Sequence, residues 1–446
     1  MVLIKTAEKT KARRAAMAAA VGSTVEWYDF ALYGAAASLI FNKHFFVGDD
    51  PTTGLLLSFA TFAVGYLARP LGGVIFGHLG DKVGRKPVMI FCLTLMGVCT
   101  ALIGLLPDYQ SIGLSAPLIL VALRIMQGLG AGAEYAGAVV MSTESSPPTS
   151  RGFYASWSGS GVWLGSAIGL IVMQLTLWAT GDKFDSWGWR LPFLFSLIML
   201  GVSLYIRRQV SETDDFKEID IKNEKTKIPL VSLFKTEKRR LLIGLCSNFM
   251  LSGFSYIPQV WALSYLTNNL GMAAMIALGI NAIVLISGSV FMPIMGRIGD
   301  VIGRRRLFLW GAAFGGIWTI PMFLLIETRH PVLATIGLAV CFFGSVAACY
   351  ASQAAFLTEL FPPQTRYSAV AFSREVSGAI LGGLTPLIAT AIISATGHWA
   401  GIAIFMIANA AVAFIAVWYS KRFRNDAEQW KIDPTQSTTE KASVVI

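Results

Sequence analysis

The chain has 446 residues, 54% of them hydrophobic and only 14% charged, with 36 Lys and Arg against 26 Asp and Glu. A soluble chain keeps roughly a quarter of its residues charged, so this composition excludes an ordinary water-soluble globule. A bilayer core takes about 20 consecutive apolar residues per helix, and long continuous apolar runs exclude the alternating strands of a membrane barrel.

Spans are predicted in chain order at 18–40, 54–77, 88–106, 116–140, 153–178 and 189–206, then at 241–266, 272–295, 307–326, 332–357, 368–394 and 400–420. The run after the basic stretch Lys5 to Arg14 is too long for a signal peptide and carries Glu26 and Asp29, which predicts an uncleaved first helix. Of the 36 Lys and Arg, 29 fall on every second connection counted from the N-terminus, ten of them in 207–240. The opposite connections hold only Lys43, Lys183 and Arg329. Basic residues concentrate on cytoplasmic loops, so both termini are expected in the cytoplasm, and the net charge of +10 reads as topology rather than nucleic-acid binding. The five cysteines lie in apolar spans without CxxC spacing and are expected to pack. No metal, cofactor or catalytic constellation is predicted.

The longest polar segment divides the spans into two sets, giving an expected organisation of a six-helix bundle over 1–206, a linker over 207–240, a second bundle over 241–422 and a tail over 423–446. Two loop motifs recur. Gly77-His-Leu-Gly80-Asp81-Lys82-Val-Gly84-Arg85-Lys86 returns as Gly296-Arg-Ile-Gly299-Asp300-Val-Ile-Gly303-Arg304-Arg305, 219 residues on. Glu144-Ser-Ser-Pro147-Pro148-Thr-Ser-Arg151 returns as Glu359-Leu-Phe-Pro362-Pro363-Gln-Thr-Arg366, 215 residues on. This predicts an all-α membrane protein of twelve helices in two parallel repeats, the layout of a major facilitator. The glycines suit close helix approach, an acid such as Asp81 suits a helix start, and Arg85 and Lys86 suit pairing with Glu144. A charge-based gate is therefore expected at Asp81, Arg85, Lys86, Glu144 and Arg151, and at Asp300, Arg304, Arg305, Glu359 and Arg366. The bland alternative is that these charges only anchor topology.

Four segments resemble the metabolite:proton symporter family of the major facilitators. They are Gly22-Ser-Thr-Val-Glu26-Trp27-Tyr28-Asp29-Phe30, Arg69-Pro70-Leu-Gly72-Gly73, Arg124-Ile-Met-Gln127-Gly128 and Trp187-Gly-Trp189-Arg190-Leu-Pro192-Phe193. That family includes shikimate, citrate, α-ketoglutarate and proline/betaine permeases of bacterial inner membranes, and the resemblance covers 15–422. Gly132-Ala-Glu134-Tyr135-Ala-Gly137 departs from the family's usual Gly-Gly-Glu-Trp-Gly-Gly, and Ser373-Arg374-Glu375 carries a charge pair that many members lack.

Ionisable groups inside a membrane are functional candidates by default. Glu26 and Asp29, Arg124 and Glu134 are expected in proton coupling, with helix pairing as the alternative. Arg124 also suits bidentate capture of a carboxylate. Arg374 and Glu375 are adjacent, so they point about 100° apart on one helix; Arg374 is a candidate anion contact from the second set. Polar and aromatic residues at Tyr33, Tyr256, Gln259, Trp261, Tyr350 and Gln353 complete the candidate substrate site, the last five favoured because the resemblance implies a cavity lined by spans one, four, seven and ten. The expected function is proton-coupled uptake of a small organic solute, a carboxylate above all, by a monomer in a bacterial inner membrane. Export or uncoupled facilitation by the same fold stays open, and solute sensing without transport is the reading from another class.

Overall fold

The computed structural model describes residues 2–48, 50–83, 85–132, 150–209, 237–361 and 366–423. Among these there is no strand. Backbone groups in lipid must be satisfied within their own segment, and runs this apolar accordingly form helices. The first set is α1 (Val2–Leu39), α2 (Pro51–Val83), α3 (Arg85–Leu105), α4 (Ser115–Ala131), α5 (Arg151–Thr180) and α6 (Leu191–Gln209). The second is α7 (Lys238–Asn269), α8 (Ala274–Ile302), α9 (Arg304–Glu327), α10 (Pro331–Leu360), α11 (Ser368–Thr396) and α12 (Ala400–Tyr419). Ten of the described helices are long and apolar enough to cross a bilayer, and α4 is a shorter apolar helix. The predicted spans all fall on these helices; the end of the fourth span and most of the linker lie outside the described residues.

Helix α5 packs along both α1 and α8, and α2 packs against both α4 and α11, so α5–α8 and α2–α11 join the two sets. The α5–α8 crossing is close enough to demand glycine: a Cβ on Gly296 would lie 2.6 Å from the Gly152 carbonyl oxygen. Motif residues also meet inside the first set, where the Tyr28 hydroxyl donates to the Pro192 carbonyl at 2.7 Å. Large apolar side chains, among them Leu71, Val74, Leu118, Trp178, Ile317 and Ile404, are exposed on the outside. So much exposed apolar surface suits lipid rather than water. Charge goes the other way: Glu26, Asp29, Arg69, Arg124 and Glu375 are all buried.

Candidate functional site: a charged cavity between the helix sets

Two small adjoining cavities, of about 10 and 30 Å³, lie between the helix sets. The larger has room for a water molecule or two. Both are bordered by Trp27, Tyr66, Tyr256 and Gln259. The smaller chamber is otherwise apolar, with Phe30, Phe62, Leu170, Val260 and Leu263. The larger adds Arg69, Arg374 and Glu375, together with Trp163, Asn248 and Tyr350. The Tyr256 hydroxyl donates to that of Tyr66 at 2.8 Å, a contact from α7 to α2.

An ion pair crosses the interface here. Arg69 on α2 donates from Nε to Glu375 Oε2 on α11 at 2.9 Å and from Nη2 to Oε1 at 3.4 Å. Glu26 on α1 stands 3.8 Å from the same Arg69 Nη2, and the guanidinium also lies over the Phe30 and Tyr66 rings. Arg374 turns away from its neighbour, as adjacent helical residues must, and donates to the Tyr350 hydroxyl at 2.5 Å.

A second polar chain runs behind the cavity within the first set. The Thr100 hydroxyl donates to Asp29 Oδ2 at 2.8 Å and receives Gln127 Nε2 at 2.8 Å, while Arg124 Nη1 donates to Gln127 Oε1 at 2.5 Å. Arg124 is fully buried, its guanidinium 4.0 Å from the centroid of the Tyr33 ring and flanked by Phe30 and Phe62. Phe30 and Phe62 line the smaller chamber, whereas Arg124 lines neither. Glu26 and Asp29, predicted to share a helix face, reach different helices, α2 and α3.

The amino-acid sequence matches the Major Facilitator Superfamily over residues 19–384 and 253–445. It is 36% identical to the shikimate transporter of Escherichia coli K12 over 91% of this chain and 93% of that one. It is 32% identical to the proline/betaine transporter of the same strain over 91% of this chain and 82% of that protein. Among solved structures, the proton:xylose symporter XylE bound to 6-bromo-6-deoxy-D-glucose superposes with a TM-score of 0.70 at 17% identity, covering 94% of this chain and 96% of that one.

The chain belongs to the major facilitator superfamily.

Its curated relatives resemble the metabolite:proton symporter branch of that superfamily, and the chain is a multi-pass membrane transporter, not an enzyme. Of the predicted substrate contacts, Tyr256, Gln259, Tyr350 and Arg374 line the major facilitator cavity. Tyr33 instead bonds Thr61, Trp261 bonds Thr390 and stacks on Tyr265, and Gln353 reaches the cavity only through Asn248. Trp27, Tyr66 and Trp163 were not predicted as cavity residues; an aromatic ring with a polar handle inside an apolar span is the signal that marks them.

The proton-coupling candidate Glu134 and the gate candidate Glu144 lie outside the described residues, and the side chains of the gate candidates Asp81, Arg85, Lys86, Arg151 and Arg366 are likewise outside the description. The second copy is described. Asp300 accepts hydrogen bonds from the backbone N–H groups of Gly152 and Phe153, at 2.8 and 2.9 Å, at the start of α5 in the other helix set. Arg304 pairs with Asp300 at 3.1 Å and with Glu359. Arg305 donates to the carbonyls of Val417 and Trp418 at the end of α12, so within these contacts it caps a helix C-terminus, which favours a cation.

Proposed function

We propose that this transporter takes up a small carboxylate together with a proton, by alternating access, across a bacterial inner membrane with its basic loops in the cytoplasm. The observation that carries the carboxylate reading is Arg69, a buried guanidinium lining the central cavity whose Nη1 has no hydrogen-bond partner among the described residues. A planar guanidinium recognises a carboxylate bidentately. Arg374 supplies a second cation at the same cavity. The solutes named for relatives at 32 to 36% identity, shikimate and proline/betaine, all carry a carboxylate. The apolar chamber beside the charged one suits the solute's carbon frame.

Proton coupling draws on the buried acids Glu26, Asp29 and Glu375, and gating at the basic end on Asp300, Arg304 and Glu359. The protein is proposed to act as a monomer. The test is uptake by purified protein in proteoliposomes of a panel of mono-, di- and tricarboxylates, shikimate and betaines, with and without an inward proton gradient. Uptake of a carboxylate is expected to rise with the gradient and to collapse with a protonophore. Uptake indifferent to the gradient would leave an uncoupled facilitator; flux of neutral solutes alone would remove the carboxylate reading.

A further inference from the structure

Among the described residues the charges around the central cavity balance: Arg69 and Arg374 are two cations, and Glu26 and Glu375 two anions, beside a space with room for a water molecule or two. A solute carboxylate that bound Arg69 in this arrangement would add an uncompensated charge and would find its place taken. Glu375 already holds the guanidinium through both oxygens, with Nε at 2.9 Å and Nη2 at 3.4 Å, in the fork geometry that carboxylate ligands adopt. Glu375 belongs to α11 and Arg69 to α2, so the pair also ties the two helix sets together. Of the three described buried acids near the cavity, Glu375 is the one that lines it; Asp29 is held by Thr100, and Glu26 approaches the same Arg69 Nη2 at 3.8 Å without lining the cavity.

We propose that Glu375 is an internal substitute for the solute's carboxylate: it occupies Arg69 in the empty carrier, an entering anion displaces it, and the displaced Glu375 takes up the co-transported proton. This rests on the carboxylate-symport reading above and assigns its coupling acid. The cycle balances. Solute carboxylate bonds to Arg69 as the Glu375–Arg69 pair breaks, and a proton from the entry side binds the freed Glu375 carboxylate, which would otherwise be an unpaired charge in a dry interface. The summed charge of these described groups and the solute is zero before and after. On the release side the proton leaves Glu375, Glu375 recaptures Arg69, and the anion departs. One anion and one proton cross together, with no net charge moved. In the empty carrier the pair leaves neither Arg69 nor Glu375 as an unpaired charge when the sets close, so the emptied carrier can return for the next load. Among the described residues, the other titratable groups around the cavity are Glu26 from α1, Tyr66 from α2, Tyr256 from α7, Tyr350 from α10 and the neighbouring Arg374. Tyr66 and Tyr256 are bonded to each other, and Tyr350 accepts from Arg374.

The experiment counts protons on binding. Full-length protein in detergent is titrated in weakly buffered solution at neutral pH with shikimate and benzoate, and with methyl shikimate as the uncharged control. The wild type is expected to take up about one proton per bound anion, and none with the ester. Glu375→Gln is expected to bind the same anions about tenfold more tightly, because the competing internal carboxylate is gone, while proton uptake falls to near zero. Glu375→Asp should restore uptake. Proton uptake that persists in E375Q, or that accompanies the ester, overturns the proposal, as does a wild type that binds anions without taking up protons. If E375Q yields no folded protein, the wild-type contrast between acid and ester decides. A wild type that binds no carboxylate removes the carboxylate reading itself, and this proposal with it.

Discussion

Arg69 and Arg124 are both buried arginines of the first helix set, and their surroundings separate what they do. Arg69 meets carboxylates from two other helices at the cavity wall. Arg124 sits under aromatic rings and reaches Asp29 only through Gln127 and Thr100. A Cβ on Gly65 would lie 2.4 Å from Arg124 Nε, so Gly65→Ala must push the guanidinium aside. Overpacking of this kind costs roughly 1–3 kcal/mol, and a lower thermal midpoint in detergent is expected. Thr100→Val breaks the chain at its middle. One interhelical hydrogen bond in a membrane averages only about 0.6 kcal/mol, so stability should barely move. Gradient-driven uptake is expected to fall several-fold if the chain tunes Asp29; unchanged uptake would make it purely structural. The amino-acid sequence identified Asp29 and Arg124 separately, because a charge inside an apolar run is conspicuous. It could not identify Thr100, since a threonine in a membrane helix is unremarkable until its partner is known.

Among the elements, the repeated loop motif was legible as glycines plus an acid suited to a helix start. Which helix start was not. Asp300 closes no helix of its own neighbourhood but the N-terminus of α5, some 148 residues away. Its carboxylate meets exposed N–H groups and the positive end of the helix dipole, an interaction worth about 0.3–1 kcal/mol and up to ~2 in partly buried settings. Asp300→Asn should therefore bias the protein toward opening at its basic end. A cysteine placed at Ser252 on the cavity wall would then react faster with a membrane-impermeant thiol reagent supplied from that side; an unchanged rate would remove Asp300 from the gate. The cavity-lining helices α7, α10 and α11 also contain wider π-helical turns at Met250–Phe254, Ile257–Trp261, Tyr265–Asn269, Phe342–Ala347 and Gly378–Gly382. Such turns often fall at functional sites, and hydrophobic periodicity gives no sign of them.

For the whole molecule, the proposed alternating-access cycle has the helix sets move against each other, and α5 against α8 is where that movement can be tested by arrest. Ser160 and Ser289 face each other across this seam with their hydroxyls 3.0 Å apart. The pair Ser160→Cys with Ser289→Cys should cross-link under mild oxidation, stop most uptake and recover with reductant. Full uptake by the cross-linked protein would show that α5 and α8 move as one. Further along the same seam the Gln174 amide donates to the Met275 carbonyl, and Asn268 of α7 donates to Ser38 of α1. With the Asp300 contacts at the basic end, the described residues join the sets at both ends.

The amino-acid sequence by itself determined the helices and their doubled arrangement, because lipid demands long apolar spans and a duplicated loop leaves its spacing in the chain. It also marked most of the buried charges, since each stands out against the span that carries it. Tertiary structure decided which of those charges meet. Arg69 and Glu375 are separated by 306 residues and joined at 2.9 Å. No periodicity encodes that pairing, because it arises only where helices far apart in the chain pack against one another.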